Sequence, residues 1–245
     1  MWASRITDWA IQSGVASTSQ KGFMPVNGCH EHLFLAQSIL NSTRRGKKSL
    51  YMTYYDLKNA FGSIPHKLIH TVLQAQRLPK HLQEIISDLY EGASFSILTK
   101  EGCSGIIENR RGVKQGCPLS PILFNLAVEP LLQRLAACNA GLELRTTDGK
   151  PAVKISHMAY ADDLKTVANS REGISNLHQV VKAFLHWTGL EANPSKCATM
   201  GWKVGMTRQQ PDPVQLRLHN EVLPVVGITP LAEIRCCAYL CDVSA

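Results

Sequence analysis

Apolar and polar positions along the chain fall into blocks of distinct period. "CHEHLFLAQSILNSTRRGKK" places Leu33, Leu35, Ala36, Ile39 and Leu40 at helical spacing and ends in a basic turn, "RRGKK". "SLYMTYYDL" is dense in aromatic and apolar residues and predicts a strand ending near Asp56. "SIPHKLIHTVLQAQ" sets Leu68, Ile69, Val72 and Leu73 on one helical face, with Pro65 near the start and Ser63 as candidate cap. "PKHLQEIISDLYEG" repeats the helical pattern, and "SFSILT" with "GIIENRRGV" predicts a hairpin. "LSPILFNLAVEPLLQRLAA" is strongly apolar and predicts a buried helix. "AVKISHMAYADDLKTVANS" reads as two strands that meet at Asp162 and Asp163. "GISNLHQVVKAFLHWTG" carries Ile174, Leu177, Val181, Phe184 and Leu185 at helical spacing, and "KCATMGW" predicts a further strand. Near the amino end, Trp9 to Gln12 close a short helix, and "GVASTSQKGFMPVNG" reads as loop. The sequence carries no internal repeat and no low-complexity segment.

The order is strand, helix, helix, hairpin, helix, hairpin, helix, strand. This predicts the α+β class, with helices packed on one side of an antiparallel sheet in a split βαβ palm. Neither GxGxxG nor GxxxxGK[ST] is present, so a phosphate-cradling loop of either kind is excluded.

Composition narrows the partners. A 245-residue chain that is 44% hydrophobic can bury a sizeable core. Its 26 Lys+Arg against 19 Asp+Glu give a net charge of +7, which points to nucleic acid, the alternative being a merely basic soluble protein. Eight cysteines lack metal-type spacing; even the cluster Cys236, Cys237, Cys241 has no paired CxxC, so reduced thiols in an intracellular protein, nuclear or cytoplasmic, are expected, the alternative being a zinc site. No apolar run approaches the ~18 residues of a membrane helix, and "MWASRITDWAIQSG" lacks the core of a signal peptide. No membrane partner is expected, and no protein partner is inferable.

The chemistry centres on "MAYADDLKTVA", Met158 to Ala168. Asp is disfavoured in strand interiors, and adjacent carboxylates repel one another and resist burial. At a hairpin tip the pair would be held by the sheet yet reach solvent. Asp56 closes an apolar strand that can lie alongside. Three carboxylates gathered in this way call for a divalent cation, and two such ions ~3.5–4 Å apart serve in-line phosphoryl transfer. Acid clusters of hydrolases fit the same carboxylates, and a water-capped Asp-rich turn fits "YADD".

Further stretches bear on that choice. "SQKGFMPVNGCHEH" (19–32), "YYDLKNAF" (54–61), "GVKQGCPLSPILFNL" (112–126), "AYADDL" (159–164) and "GLEANPSKC" (189–197) occur in this order. Together they resemble the motifs of reverse transcriptases, in wording like those of non-LTR (LINE-type) retrotransposons. The resemblance implies an RNA-directed DNA polymerase, a nucleotidyltransferase extending a primer 3′-hydroxyl with dNTPs on an RNA template. It implies a right-hand palm and two Mg²⁺ ions, with Mn²⁺ as an alternative.

The resemblance also assigns roles. Asp56 and Asp162 match the metal-holding pair, Asp163 supports them, and the Leu57 carbonyl is a further ligand. Phe61 matches the aromatic gate that leaves no room for a 2′-hydroxyl; without the motif it reads as a core Phe. Gln115 and Gly116 match the segment lining the nascent base pair. Lys196 matches a lysine near the nucleotide phosphates that can donate a proton to the leaving pyrophosphate; otherwise it is surface decoration. Tyr160 lies near the primer terminus or packs in the sheet. From charge alone, apart from the resemblance, Arg44, Arg45, Lys47 and Lys48 are expected to contact template or primer phosphates or to form a solvated turn. The resemblance begins after the family's leading fingers strands and fades beyond "NEVLPVVG". The expectation is therefore a domain over 1–228 with partial fingers and palm, the thumb missing, and a divergent tail over 229–245. The alternative function is an inactive palm remnant that only binds nucleic acid.

Overall fold

A computed structural model describes residues 2–144, 153–205 and 209–226. The expected 229–245 tail and its cysteine cluster lie outside the described residues. Helices α1 (Trp2–Gln12) and α2 (Gly28–Arg45) precede strand β1 (Leu50–Tyr55). Helices α3 (Ala60–Ser63), α4 (His66–Ala75) and α5 (Lys80–Tyr90) follow. Four two-residue strands come next: β2 (Ser94–Phe95), β3 (Leu98–Thr99), β4 (Gly102–Cys103) and β5 (Ile107–Glu108). Then come α6 (Ser120–Ala137), β6 (Leu142–Leu144), β7 (Val153–Ile155), β8 (His157–Tyr160) and β9 (Asp163–Ala168). Helix α7 (Arg171–Thr188) leads to β10 (Ala198–Val204), β11 (Gln209–Pro211), β12 (Arg217–Leu218) and β13 (Glu221–Val222).

The main sheet has five strands in the order β11-β10-β1-β9-β8, and each neighbouring pair is antiparallel. β1 sits at its centre, and all six of its residues are buried. Side chains alternate across the sheet. Tyr51 and Tyr55 face one hydrophobic cluster, while Leu50, Met52 and Tyr54 face another. The first cluster is built largely from α1, α4, α5, α6 and α7. α6 is buried on most of its surface, as its apolar sequence predicts. α7 is bounded by chemistry local to it: the Ser170 side chain accepts from the Gly173 N–H at 3.0 Å, and Gly189 ends it at φ 67°.

The second face is where the structure adds to the expected one-sided packing. Ile39 and Leu40 of α2, with Leu142 and Ile155 of the β6–β7 pair, cover Met52, Met158, Val167, Met200 and Trp202. The reason lies in β1: "LYMTYY" is apolar at both parities, so both faces need cover. A second correction concerns Ser63. It ends α3, and its hydroxyl donates to the Lys58 carbonyl at 3.4 Å; Pro65 stands at the start of α4 with no side-chain cap. The expected hairpin forms as two nested pairs, β2 with β5 and β3 with β4. Among the described residues, no helix is long and apolar enough to cross a membrane, and Cys103, Cys117, Cys138 and Cys197 are free thiols.

Candidate active site

The β8–β9 hairpin turns through two residues, Ala161 and Asp162, with Tyr160 paired to Asp163. Ala161 has φ 52°, the left-handed region that an L side chain seldom adopts. On the neighbouring strand Tyr55 pairs with Leu164, so Asp56, one residue on, follows the same edge of the sheet as the hairpin tip. Burial raises the Asp162 carboxyl above the ordinary range; a backbone hydrogen bond opposes this, and the charge of Asp56 adds to it. The two carboxylates therefore feel each other across adjacent strands.

The "GLEANPSKC" segment docks on the strand that carries Asp56. The Asn193 N–H donates to the Asp56 carbonyl at 2.9 Å, and the Lys58 N–H donates to the Glu191 carbonyl at 2.8 Å. Leu57 thus stands opposite Ala192, with its own carbonyl outside both bonds. The Asp56 N–H donates to the Cys197 sulfur at 3.4 Å, and burial pushes that thiol up to about 11, so it stays protonated at neutral pH. The turn that follows brings Lys196 Nζ to 4.0 Å from Asp56 Oδ2.

Beside the hairpin tip lies a cleft of about 580 Å³ whose lining includes Phe61, Lys114, Gln115, Gly116 and Asp162. Phe61 projects from α3 and stacks on buried Phe124 of α6, with ring centroids 4.3 Å apart and planes at 16°. Phe23 meets Phe61 edge-on at 5.7 Å. Gly116 has φ 79°, where a side chain would be strained. The Ser120 hydroxyl donates to the Lys114 carbonyl at 2.5 Å and so ties the wall of the cleft to the start of α6.

Four residues singled out from sequence, Phe61, Gln115, Gly116 and Asp162, thus line one cleft, and Asp56 with Lys196 stands at its carboxylate end. Asp163 and Tyr160 are half-buried at the facing ends of β9 and β8. The Leu57 side chain is buried in the core. The basic residues do not join this group. Arg44, Arg45, Lys47 and Lys48 precede β1, whereas Asp56 follows it. A six-residue strand at ~3.3 Å per residue separates them by roughly 20 Å. Sequence reasoning passed over Lys114 inside a quoted motif, and Gln20 in the loop before α2; nothing in a one-dimensional pattern marks a loop amide as buried.

The candidate donors, the Asp56 and Asp162 carboxylates and the Leu57 carbonyl, are all hard oxygens. Among the described residues no group of three or more His, Cys, Asp and Glu is arranged around a single ion. Mg²⁺ does not require such a cage, because it retains several waters and is commonly held by one or two carboxylates together with substrate phosphates. The donor set is compatible with Mg²⁺.

Comparison with known proteins gives a consistent picture. A family model described as reverse transcriptase (RNA-dependent DNA polymerase) matches residues 1–216. The retrovirus-related Pol polyprotein from the type-2 retrotransposable element R2DM of Drosophila melanogaster is 34% identical over 191 residues, covering 78% of this chain and 17% of that protein. The Pol polyprotein from a type-1 retrotransposable element R2 of Nasonia vitripennis is 32% identical over 189 residues, 77% of this chain and 18% of that protein. The chain therefore spans under a fifth of the length of these relatives. Among solved structures, a telomerase from Candida tropicalis in complex with a telomeric RNA fragment superposes with a TM-score of 0.58 at 12% identity. It covers 81% of this chain and 33% of that one, a likeness of fold.

Proposed function

The chain belongs to the reverse transcriptase (RNA-dependent DNA polymerase) family, and from that premise we propose that it extends a primer 3′-hydroxyl with dNTPs on an RNA template, as part of a non-LTR retrotransposon product. The observation that carries this reading is the cleft in which Phe61, Gln115 and Gly116 meet Asp162, with Asp56 coupled to Asp162 on the next strand.

Asp56, Asp162 and the Leu57 carbonyl would hold Mg²⁺, or Mn²⁺ in its place, with Asp163 in support. When bound, such ions neutralise triphosphate charge and lower the pKa of the attacking hydroxyl. The work left to the protein is positioning and electrostatics. Phe61, backed by Phe124, presents a rigid apolar wall where a ribose 2′-hydroxyl would have to lie. Gly116, lacking a side chain, lets backbone approach the nascent pair, and Gln115 hydrogen-bonds beside it. Lys114 also lines this cleft, with its ammonium over the Tyr90 ring, 5.9 Å from the centroid. Lys196, next to Asp56, supplies positive charge and a proton toward the departing pyrophosphate. Tyr160 packs toward the primer terminus. A basic chain of +7 holds template and primer through their phosphates, and Arg44, Arg45, Lys47 and Lys48 contribute at a distance from the chemistry.

The test is primer extension on RNA template with dNTPs and Mg²⁺, beside Asp56→Asn and Asp162→Asn. Extension by the wild type that both variants lose supports the reading. Extension that survives either substitution contradicts it.

A further inference from the structure

The loop between α1 and α2 is fastened to the hairpin tip more tightly than a connecting segment requires. The Lys21 N–H donates to the Ala159 carbonyl and the Ala159 N–H donates to the Ser19 carbonyl, both at 2.9 Å, so the loop runs as a short parallel partner of β8. Two polar side chains of α6 hold it from the other side. Glu129 accepts from the Ser17 N–H at 3.0 Å and from the Ser17 hydroxyl, and Asn125 Nδ2 donates to the Gly22 carbonyl at 2.8 Å.

Within this strap Gln20 is only 3% exposed, and its carboxamide grips both backbone polar groups of one turn residue, Ala161. Oε1 accepts from the Ala161 N–H at 2.8 Å and from the Gly22 N–H at 2.9 Å, while Nε2 donates to the Ala161 carbonyl at 3.1 Å. Both polar groups of Ala161, the residue with left-handed backbone, are thereby satisfied. Gly22 presses on the same residue, since a Cβ there would fall on the Ala161 peptide nitrogen. Asp162 is the next residue. Its carboxylate direction depends on the Ala161 conformation, and that conformation is disfavoured unless something holds it.

We propose that Gln20 is a positioning residue for the divalent-ion site: it holds the Ala161 backbone from both of its peptides and so aims the Asp162 carboxylate at the ion shared with Asp56. This rests on the reading of Asp56 and Asp162 as ion ligands. Gln20 itself touches neither ion nor substrate. Its role is that of a supporting partner to a ligand, whose removal typically weakens metal affinity 10–100-fold.

The experiment uses the full chain and Mn²⁺ alone, with free ion followed by electron paramagnetic resonance, in the wild type, Gln20→Met and Asp162→Asn. Gln20→Met keeps length and apolar bulk but removes all three hydrogen bonds. The expected result is a Mn²⁺ affinity about 10–100-fold weaker in Gln20→Met, with a cooperative thermal melt retained, and loss of the site in Asp162→Asn. A folded Gln20→Met that binds Mn²⁺ like the wild type overturns the proposal. Wild-type binding by Asp162→Asn instead overturns the reading of the site on which it rests. A second measurement needs no variant: amide exchange of the metal-free wild type, read by NMR. A protected Ala161 amide is expected; exchange at the unprotected rate overturns the proposal even if Gln20→Met does not fold.

Discussion

Replacing Phe61 by alanine separates a gating ring from a core ring. Phe61 is half-buried, stacks on Phe124 at 4.3 Å and lines the cleft on its other side. Losing the stacked pair costs about 0.5–1.5 kcal/mol beyond area burial. A fully buried Phe→Ala costs about 3–5 kcal/mol, so half-burial sets the stability loss at about 2 kcal/mol. Selectivity shifts through a different route. An apolar pocket discriminates against an added hydroxyl by about 10², or about 2.7 kcal/mol in transition-state binding. Phe124 stacks on one face of the ring and Phe23 meets it edge-on, which restricts its movement away from a 2′-hydroxyl, and discrimination should approach that limit. Single-nucleotide incorporation gives kcat/KM for a dNTP and for the rNTP of the same base. Phe61→Ala should lower their ratio by up to about 10²-fold, chiefly by raising rNTP use, and Phe61→Val should shift it in the same direction. A ratio unchanged in an active, folded Phe61→Ala would show that the ring serves only the core.

Asp162→Asn should raise the melting temperature of the metal-free protein at pH 7. The folded-state pKa of Asp162 lies above its unfolded value, so the ionised carboxylate opposes folding and stability rises as pH falls through that pKa; a lower melting temperature would refute the assignment. The buried imidazoles act with the opposite sign. His157 is lowered to about 4 by burial first and by His32 second, and His32 is also lowered to about 4, by burial first and then by Lys21 and Lys165. The unfolded chain therefore binds more protons, and stability falls as pH drops from 6.5 toward 4, by on the order of 3 kcal/mol for His157. Urea titrations at pH 7 and pH 5 check this, and equal midpoints would contradict it.

Much of the fold was legible because the pattern carried its physical cause. Leu68, Ile69, Val72 and Leu73 repeat at helical spacing and are buried on one face of α4. The aspartates of "YADD" drew notice because two adjacent carboxylates do not belong in an apolar strand. The cover of the second sheet face was less legible: periodicity says that α2 has an apolar side but not which face it meets. Gln20 was invisible for another reason. Its role comes from hydrogen bonds to a residue 141 positions away, and a glutamine in a polar loop has the same composition whether it is buried or solvated. The basic turn drew attention by charge alone, and charge does not encode distance from Asp56.

Manganese anomalous scattering tests the two-carboxylate site most directly. Crystals of the chain with an RNA template, a chain-terminated DNA primer, the next dNTP and Mn²⁺ should give two anomalous peaks about 3.5–4 Å apart, bridged by the carboxylates of Asp56 and Asp162 and touching the triphosphate. Manganese bound elsewhere in a complex that holds the dNTP, with those two carboxylates free of it, would contradict the assignment of this cleft as the site of nucleotidyl transfer.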